Sequence, residues 1–407
     1  MRKEFNYFMP TKIVFGNGYI DKVEEYIKKY GINKLCLITD SFLAETSFGQ
    51  KLIESINGVK VFTEVEINPG IQSINACAQK IKEWDCDGII ALGGGSSIDT
   101  AKAASVCALS GESIHKYLDG NPDKIEIKNT LPVIAIPTTS GTGSEVSQYA
   151  VITDEKSLRK DSITSEHIYP KVAIVDPVLT TGLSVRLTID TGLDVLSHAM
   201  ESMFSKIRNS FTEILALEAI RTVFQWLPVC VKEPENIEAR GEMAFASTLA
   251  GIAMSHCCGT LPHGLGCPLS GHFGVPHGLA VGVLQKYGIL SMGHTCDDEC
   301  QRIISFVNPE ENCKREESGE ILLQMIDELF NTIGCEKDLK EYHLDEEGIE
   351  RMVEDAVIHG CTGLHPVEIT KEDKILLASA EDKFRQCLNQ YRITYTNFLD
   401  LHQRSLM

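Results

Sequence analysis

The sequence lacks a long apolar run, since no stretch approaches the length of about 18 residues expected of a membrane helix. Its first residues, Met1 to Asn6, do not lead into the apolar segment of a signal peptide. Positive charge is also scarce, because 38 lysines and arginines stand against 57 aspartates and glutamates, for a formal net charge of −19. Such a surface repels phosphate backbones and anionic lipids. We therefore expect a cytoplasmic protein with no nucleic-acid and no membrane partner.

A disulfide framework is also absent. The 14 cysteines follow irregular spacings in a chain of 407 residues. In a protein of this length without a signal peptide, that pattern favours reduced thiols.

The order of apolar patterns predicts two parts in the chain. At 43% hydrophobic and 23% charged residues, the composition is that of a folded protein with more than one domain. Short apolar runs alternate with amphipathic stretches up to Asp176, which predicts a parallel, doubly wound sheet. From about residue 185 apolar side chains recur at helical spacing, as in Leu193, Leu196, Met200 and Met203. We predict an α/β domain over 1–184 and an all-helical domain over 185–407. The predicted strands are 34–39, 59–62, 88–92, 132–136 and 172–175, and the predicted helices between them include 46–56, 72–83 and 97–109.

A run of three glycines follows the predicted strand 88–92 and opens a helix. Glycine lets the backbone approach a ligand, and a helix N-terminus offers free N–H groups that suit a diphosphate. The spacing is not the G-x-G-x-x-G of ordinary Rossmann domains, and a glycine-rich turn without a ligand is the alternative. The candidate cofactor residues in this loop and helix are Gly94, Gly95, Ser96 and Asp99.

A second loop, Pro137 to Glu145, follows the next predicted strand and is rich in hydroxyl groups and glycine. Its hydroxyl and N–H groups suit a nicotinamide ribose or a phosphate edge. Two such loops at the carboxyl ends of strands in one sheet predict a nucleotide crevice. The candidates here are Thr138, Thr139, Thr142 and Ser147.

Asp40 directly follows the predicted strand 34–39. A carboxylate at this position accepts hydrogen bonds from an adenosine ribose and repels a 2′-phosphate, which favours NAD over NADP. The alternative is an aspartate that only stabilises the turn at the end of the strand.

Four side chains in the second half have the chemistry of a metal site. Asp194 and His198 lie four residues apart, and therefore on the same face of a helix. His263 and His277 are each followed by glycine, which we interpret as leaving room for a metal or a cofactor. One carboxylate and three imidazoles suit a divalent ion that keeps a position free for a substrate oxygen.

The motifs together resemble a known family. The sequence carries GGGS at 93–96, PTTSGTGSE at 137–145, GLDVLSH at 192–198 and the paired His-Gly segment at 263–278, in that order. This combination resembles the iron-containing (group III) alcohol dehydrogenases, whose fold is related to that of dehydroquinate synthase. The likeness extends over nearly the whole chain.

The resemblance implies an NAD(P)-binding α/β domain and a helical domain, with iron in the cleft between them. It implies Asp194, His198, His263 and His277 as the ligands of Fe²⁺, and a dimer or larger homo-oligomer. Zn²⁺ is the alternative metal ion, because it binds nitrogen and oxygen ligands more tightly than Fe²⁺ does. The resemblance further implies that Asp40, Gly95, Ser96, Thr138, Thr139 and Lys160 line the cofactor site.

One residue departs from the family pattern. Many members have a second histidine four residues after the first His-Gly, where this sequence has Cys267. A thiol is a poorer proton shuttle at neutral pH, so either another group such as His272 or a water chain serves, or the substrate differs.

The function that these features predict is hydride transfer between nicotinamide and a short-chain primary alcohol or aldehyde bound to the metal. The alternative substrates are a diol, a hydroxy acid or a sulfonated aldehyde. The alternative functions are a synthase-like enzyme of the same fold and a non-catalytic nucleotide or metal sensor. An alternative metal site is a zinc site built from cysteine pairs such as Cys257-Cys258. A synthase acting on a phosphorylated carboxylate is expected to show a basic cluster, and none lies beside the imidazoles.

Overall fold

The structure is a computed structural model that describes residues 4–335 and 339–369. A six-stranded parallel sheet forms the first part of the chain, and in spatial order its strands are Lys12–Phe15, Val172–Val175, Val133–Pro137, Gly88–Gly93, Leu35–Ile38 and Lys60–Phe62. Helices pack on both of its faces and bury two separate apolar clusters there. The strands of this sheet are β1 (Lys12–Phe15), β2 (Leu35–Ile38), β3 (Lys60–Phe62), β4 (Gly88–Gly93), β5 (Val133–Pro137) and β8 (Val172–Val175), and the helices are α1 (Val23–Lys29), α2 (Ser41–Glu45), α3 (Ser47–Ser55), α4 (Ile71–Glu83) and α5 (Gly95–Ser110).

The central strands are apolar along their whole length because helices cover both faces. Every residue of β2, β4, β5 and β8 is buried. Parallel strands covered on both faces are expected to read as continuous apolar runs, which is why the sequence reveals these four strands.

An antiparallel hairpin outside the main sheet was not predicted. It consists of β6 (Tyr149–Asp154) and β7 (Arg159–Thr164), which pair from Tyr149 with Thr164 to Asp154 with Arg159. Its second strand, RKDSIT, is polar, so it lacks the apolar run that marks the other strands. The edge strand β1 was also missed.

The second part of the described chain is helical. Its core consists of apolar side chains from helices that pack on one another, with α6 in contact with α7, α8 and α10. The predicted class, a parallel-sheet domain followed by a helical domain, is confirmed. Residues 370–407 of the predicted helical domain lie outside the described residues. The helices are α6 (Val185–Phe204), α7 (Ser210–Lys232), α8 (Ile237–Cys257), α9 (Leu261–Phe273), α10 (His277–Met292), α11 (Asp297–Val307), α12 (Ser318–Thr332) and α13 (Glu346–Ile358).

Among the described residues, α7 has the length and apolar composition needed to cross a membrane. Helices α8 and α9 together also reach that length and composition, but the chain bends by 104° between them. One face of α7 is buried in the helical core, with Ala216, Ile220 and Val223 fully covered. Core helices of soluble proteins share this composition, so these helices are weak evidence for a membrane span.

The two parts meet closely at one pair of glycines. Gly143 has a left-handed backbone with φ 60°, and a Cβ atom placed on it would lie 2.4 Å from the Cα of Gly251 on α8. The loop after β5 therefore lies directly on the backbone of the helical part.

We predict that Gly143→Ala destabilises the protein by about 2–4 kcal/mol, because the side chain meets both an unfavourable φ and the backbone of α8. The free energy of unfolding in urea measures the effect. Gly182→Ala is the matched control, since no atom lies within 4 Å of a Cβ there, and its cost is expected to stay within about 0.5 kcal/mol. Equal stability of the two variants would contradict the close contact.

Candidate functional site

The two glycine-rich loops begin at neighbouring positions of the sheet. Gly93 at the end of β4 is in register with Pro137 at the end of β5, and the N–H of Thr138 donates to the carbonyl of Gly93 at 3.0 Å. Gly94 is the N-cap of α5 and Gly95 its first residue, so the free N–H groups of a 16-residue helix face this edge. Ser96 lies in the same turn, where its hydroxyl accepts a hydrogen bond from Asn68. The two loops therefore lie side by side at the carboxyl ends of neighbouring strands, and their binding of a nucleotide stays a prediction.

A buried lysine connects the two loops. Lys102 on α5 is fully buried, and its ammonium group donates to the hydroxyl of Ser144 at 2.9 Å, to that of Ser147 at 3.2 Å and to the carbonyl of Tyr149 at 2.7 Å. Asp99 accepts from the hydroxyl of Ser144 and from the N–H of Val151. Ser147 and Asp99 therefore hold the second loop in place. Their direct contact with a cofactor stays a prediction.

The remaining cofactor candidates lie around the same edge. Asp40 follows β2 and caps α2, since its carboxylate accepts from the N–H of Leu43 at 2.8 Å. Thr142 accepts from the N–H of Ser144 through its hydroxyl. Thr139 is half-buried beside Gly94. Asp40 thus has the turn-stabilising role that was the alternative, and its role toward a ribose stays a prediction.

The four candidate ligands converge from three helices. Asp194 and His198 lie one turn apart on α6, His263 lies in the first turn of α9, and His277 begins α10. The Oδ1 atom of Asp194 lies 3.7 Å from Nε2 of His198, 3.9 Å from Nε2 of His263 and 3.7 Å from Nε2 of His277. The ligand atoms of Asp194, His263 and His277 all lie within 4.8 Å of one another. The ring of His198 stacks on that of His263 with centroids 4.8 Å apart.

These separations suit a metal ion better than direct hydrogen bonds. Ligand atoms about 2.1 Å from a tetrahedral ion lie about 3.4 Å from each other. Oδ1 of Asp194 and Nε2 of His263 are buried and have no hydrogen-bond partner among the described residues. Buried polar atoms without partners are costly, and a cation bound between them would remove that cost.

The glycines after the histidines have a different role from the one we expected. A Cβ on Gly278 would lie 1.7 Å from the carbonyl oxygen of Asp190, and one on Gly264 would lie 2.1 Å from the hydroxyl of Thr362. The space beside each histidine is therefore taken by protein. These glycines let α10 approach α6 and let α9 approach the turn at Gly360–Leu364.

Glu201 orients His263, and the sequence analysis missed it. It is buried on α6, and its carboxylate accepts from Nδ1 of His263 at 2.5 Å and from Nε2 of Gln285 at 2.9 Å. It also accepts from the N–H and the hydroxyl of Thr260. Glu201 lies seven residues after Asp194 and so continues the same helix face, which was the one available signal. A ligand histidine that donates its other nitrogen to a carboxylate is the usual outer-shell arrangement of metal sites.

The histidines differ in their expected protonation. Burial lowers the pKa of His198, and burial together with Lys160 holds the pKa of His277 well below its ordinary value. Burial opposes the charged form of His263 as well, but the neighbouring Glu201 carboxylate raises its pKa to about 10. Without a metal, His263 is therefore an imidazolium and the other two are neutral.

Lys160 brings the hairpin to this site. It lies on β7, and burial lowers its pKa while Cys267, Asp194 and Asp190 raise it. Its ammonium group forms no hydrogen bond or ion pair within the described part of the chain. The sheet part thus places a cation beside the helical cluster.

Cys267 and His272 follow His263 on α9. Cys267 is buried, and burial raises the pKa of its thiol. His272 donates to the carboxylate of Asp355 through Nε2 at 2.7 Å, and Asp355 also accepts from Nε of Arg159 at 2.6 Å. The imidazole of His272 is thus engaged with Asp355 on α13.

No thiol belongs to a metal cluster among the described residues, whose one group of three or more candidate ligands is Asp194, His263 and His277. The alternative of a zinc site built from cysteines therefore receives no support from this part of the chain. Cys258, Cys267 and Cys361 are among the free thiols of the described chain.

Comparison with known proteins identifies the family. Residues 10–177 match iron-containing alcohol dehydrogenase, and residues 188–380 match the C-terminal part of the Fe-containing alcohol dehydrogenase family. The chain therefore belongs to the iron-containing alcohol dehydrogenase family, as its motifs predicted.

Several members of this family are similar to the chain over most of its length. The NAD-dependent methanol dehydrogenase of Bacillus methanolicus is 32% identical over 90% of this chain and 97% of its own. The sulfoacetaldehyde reductase of Bilophila wadsworthia is 34% identical over 70% of this chain and 74% of its own. The crystal structure of sulfoacetaldehyde reductase from Bifidobacterium kashiwanohense in complex with NAD⁺ has 32% identity, covers 94% of this chain and 99% of its own, and superposes with a TM-score of 0.83. The predicted enzyme class, an alcohol dehydrogenase, is confirmed.

We predict that Zn²⁺ binding at pH 8 releases about one proton, because the Nε2 proton of His263 must leave while His198 and His277 are already neutral. The affinity for Zn²⁺ is then expected to rise with pH until the pH reaches about 10, the pKa of His263. In Glu201→Gln the charge that raises this pKa is gone, so proton release falls toward zero.

Calorimetry in two buffers of different ionisation enthalpy measures the released protons. Glu238→Gln, which changes an exposed glutamate on α8, is the matched control and is expected to behave as the unaltered protein. Metal binding without proton release at pH 8 would contradict the role assigned to Glu201.

Proposed function

We propose that this chain is a metal-dependent dehydrogenase that transfers a hydride between NAD(H) and a short-chain primary alcohol or aldehyde. The observation that carries the proposal is that three imidazole nitrogens each lie 3.7–3.9 Å from the same carboxylate oxygen, Oδ1 of Asp194. The cluster belongs to the same chain as two loops suited to a dinucleotide, and Lys160 from the sheet part lies beside it. The relative from Bacillus methanolicus is an NAD-dependent methanol dehydrogenase.

The residues present fit a divalent metal ion. Asp194, His198, His263 and His277 would hold it, with Fe²⁺ as the ion expected from the family and Zn²⁺ as the competitor. When bound, such an ion supplies stabilisation of negative charge on a substrate oxygen. Glu201 holds the ring of His263 in one orientation, and Asp190 holds the start of α10 by accepting from the N–H of Leu279 at 2.8 Å.

The residues of the sheet part would bind the cofactor. The N-terminus of α5 faces the diphosphate, with Gly94, Gly95 and Ser96 as its neighbours. Thr138, Thr139 and Thr142 offer hydroxyl and N–H groups from the second loop. Asp40 disfavours a 2′-phosphate by charge repulsion, so NAD is preferred over NADP.

Cys267 would border the reacting groups without acting as a base. Burial raises the pKa of its thiol, so the thiol stays protonated at neutral pH and can donate a hydrogen bond. The proton that leaves an alcohol must then pass to another group or to water.

A homodimer or larger assembly and a cytoplasmic location belong to the same proposal. The edge strand β1 has a neighbour in the sheet on one side only. Phe15 on this strand and Phe245 on α8 are about 40% exposed and contact each other edge to face. An apolar edge of this kind favours association with a second copy.

Oxidation of NADH under anaerobic conditions tests the proposal. A series of short aldehydes is offered with Fe²⁺, with Zn²⁺ or with no added metal. We expect turnover that depends on the metal. Steady NADH consumption would exclude a non-catalytic sensor, and no turnover with any metal and aldehyde would overturn the proposed function.

We predict that His263→Ala loses metal binding and turnover together, since one of four ligands and the partner of Glu201 disappear. Metal content and NADH oxidation are measured on the same preparation. His167→Ala is the matched control, because His167 is an exposed histidine of the sheet part. A metal-free His263→Ala protein with full activity would refute the assignment.

A second candidate is a substrate that carries an anionic group, such as a short sulfonated aldehyde. The ammonium group of Lys160 favours it, because this partly buried cation has no hydrogen-bond or ion-pair partner among the described residues and lies beside the metal cluster. A sulfonate would supply that partner. Two of the similar proteins are sulfoacetaldehyde reductases.

We predict that Lys160→Met raises the KM for sulfoacetaldehyde by about tenfold or more relative to the KM for propionaldehyde, because a charge-assisted hydrogen bond is lost. Both assays use the same cofactor, so a change in cofactor binding alters both KM values and cancels in their ratio. Lys156→Met, an exposed lysine in the turn of the same hairpin, is the control. An unchanged ratio would restrict the function to uncharged substrates.

A further inference from the structure

Two cysteines that lie far apart in the sequence meet beside the loop that precedes His263. The sulfur atoms of Cys258 and Cys361 are 3.3 Å apart, although 103 residues separate them in the chain. Cys258 directly follows α8, and Cys361 lies in the short helical turn Gly360–Leu364. Both side chains are partly exposed. A small reagent can therefore reach the pair.

The pair has the geometry of a disulfide precursor and not that of a metal site. Among the described residues, no third histidine, cysteine or carboxylate joins the two sulfurs in a group of candidate ligands. A structural metal site needs about four ligands. A disulfide needs only that the sulfurs approach by about 1 Å more, to a bond length near 2 Å.

Both cysteines belong to anchored segments. Cys258 has φ 55° and ψ 174°, a left-handed backbone that is unusual for a residue other than glycine. Such strain persists only where the surrounding structure enforces it. On the other side, Thr362 binds the carbonyl of Ala356 through its hydroxyl at 2.8 Å, and the carbonyl of Leu364 accepts from the N–H of Lys206 at 2.9 Å. The fold thus holds the two sulfurs close together.

The two thiols differ in their proton affinity. The hydrogen bond from Cys361 lowers the pKa of Cys258 to about 7, and the same contact raises the pKa of Cys361 well above its ordinary value. A thiolate beside a protonated thiol is the arrangement in which the first attacks an oxidant and the second resolves the product.

We propose that Cys258 and Cys361 form a reversible disulfide that takes hydrogen peroxide as its oxidant. The sulfur of Cys258 attacks the peroxide, which forms an S–O bond, breaks the O–O bond and releases one water after protonation. The thiol of Cys361 then attacks the sulfenic acid, which forms the S–S bond and releases a second water. Two thiols are oxidised and one peroxide is reduced to two waters. Two molecules of a low-molecular-weight thiol restore both cysteines by exchange and leave as their own disulfide.

The bond would act on the metal cluster through a short chain of contacts. Cys258 is followed by Gly259 and Thr260, and Thr260 donates to the carboxylate of Glu201 that also binds His263. Pulling Cys258 toward Cys361 shifts this segment and so changes how Glu201 holds His263. This consequence rests on the proposed function, whereas formation of the disulfide does not.

The test of the disulfide uses the full-length metal-free protein. It is treated with hydrogen peroxide in the presence of a chelator, then alkylated and digested without reduction. We expect a cross-linked peptide pair containing residues 258 and 361, lighter by two hydrogen atoms than its separate peptides and lost after dithiothreitol. Free, alkylated Cys258 and Cys361 after peroxide treatment would overturn the proposal, as would a cross-link between other cysteines.

Three variants assign the reacting sulfurs. Cys361→Ser is expected to give no cross-link and to keep a sulfenic acid at Cys258 that dimedone traps. Cys257→Ser is expected to cross-link normally, because the adjacent Cys257 is fully buried. Cys86→Ser, which removes a partly exposed thiol of the sheet part, is the matched control. Loss of the cross-link in Cys257→Ser but not in Cys361→Ser would overturn the assignment.

A second measurement tests the connection to the metal cluster. After peroxide is removed, Zn²⁺ affinity is compared between reduced and oxidised protein by competition with a chelating dye. We expect the oxidised protein to bind about tenfold more weakly, the size of effect seen when outer-shell contacts change, and Cys361→Ser to be insensitive to peroxide. Equal Zn²⁺ affinities of the reduced and the oxidised protein would overturn the effect of the disulfide on the metal cluster. A reduced protein that binds no metal would count against the proposed function instead.

Discussion

The desolvated carboxylate of Asp194 is the constraint on which the rest of the helical part depends. Its Oδ1 atom is buried, faces three imidazole nitrogens and accepts no hydrogen bond from the described residues. An arrangement of this kind is unfavourable unless a cation occupies the middle. Close by, the carboxylate of Glu201 accepts five hydrogen bonds, which hold the ring of His263 and the start of α9 in place.

The sheet part contributes an edge suited to an anion, and the helical part contributes a cluster suited to a cation. The loop after β5 lies on α8 at Gly143 and Gly251, and Lys102 ties this loop to α5. Lys160 extends from the hairpin toward Asp194. These contacts place the two kinds of site beside each other, which a hydride transfer between a dinucleotide and a metal-bound substrate requires. The thiol pair at Cys258 lies on the helical side of the same region.

Much of the fold was predictable because its strands are buried on both faces. Four of the six strands of the main sheet read as continuous apolar runs, and helices such as α4 and α5 matched their predicted ranges to within two residues. The hairpin of β6 and β7 was missed because β7, RKDSIT, is polar and carries no such run, and the short apolar run of β6, YAVI, is only partly buried. The glycines after His263 and His277 were interpreted as leaving space for a ligand. A glycine in the sequence shows that something approaches the backbone closely, but it does not show whether that is a ligand or a neighbouring part of the protein.

By itself, the sequence determined the buried strands of the main sheet, the two glycine loops and the pairing of Asp194 with His198, because each is visible in a short stretch of residues. Only the tertiary structure decided that Glu201 binds His263 across 62 residues and that Cys258 meets Cys361 across 103. Helical spacing ends with the helix, so it carries no information on which side chain of another helix lies opposite. The packing of α9 between α6 and the turn at 360–364 supplies that information.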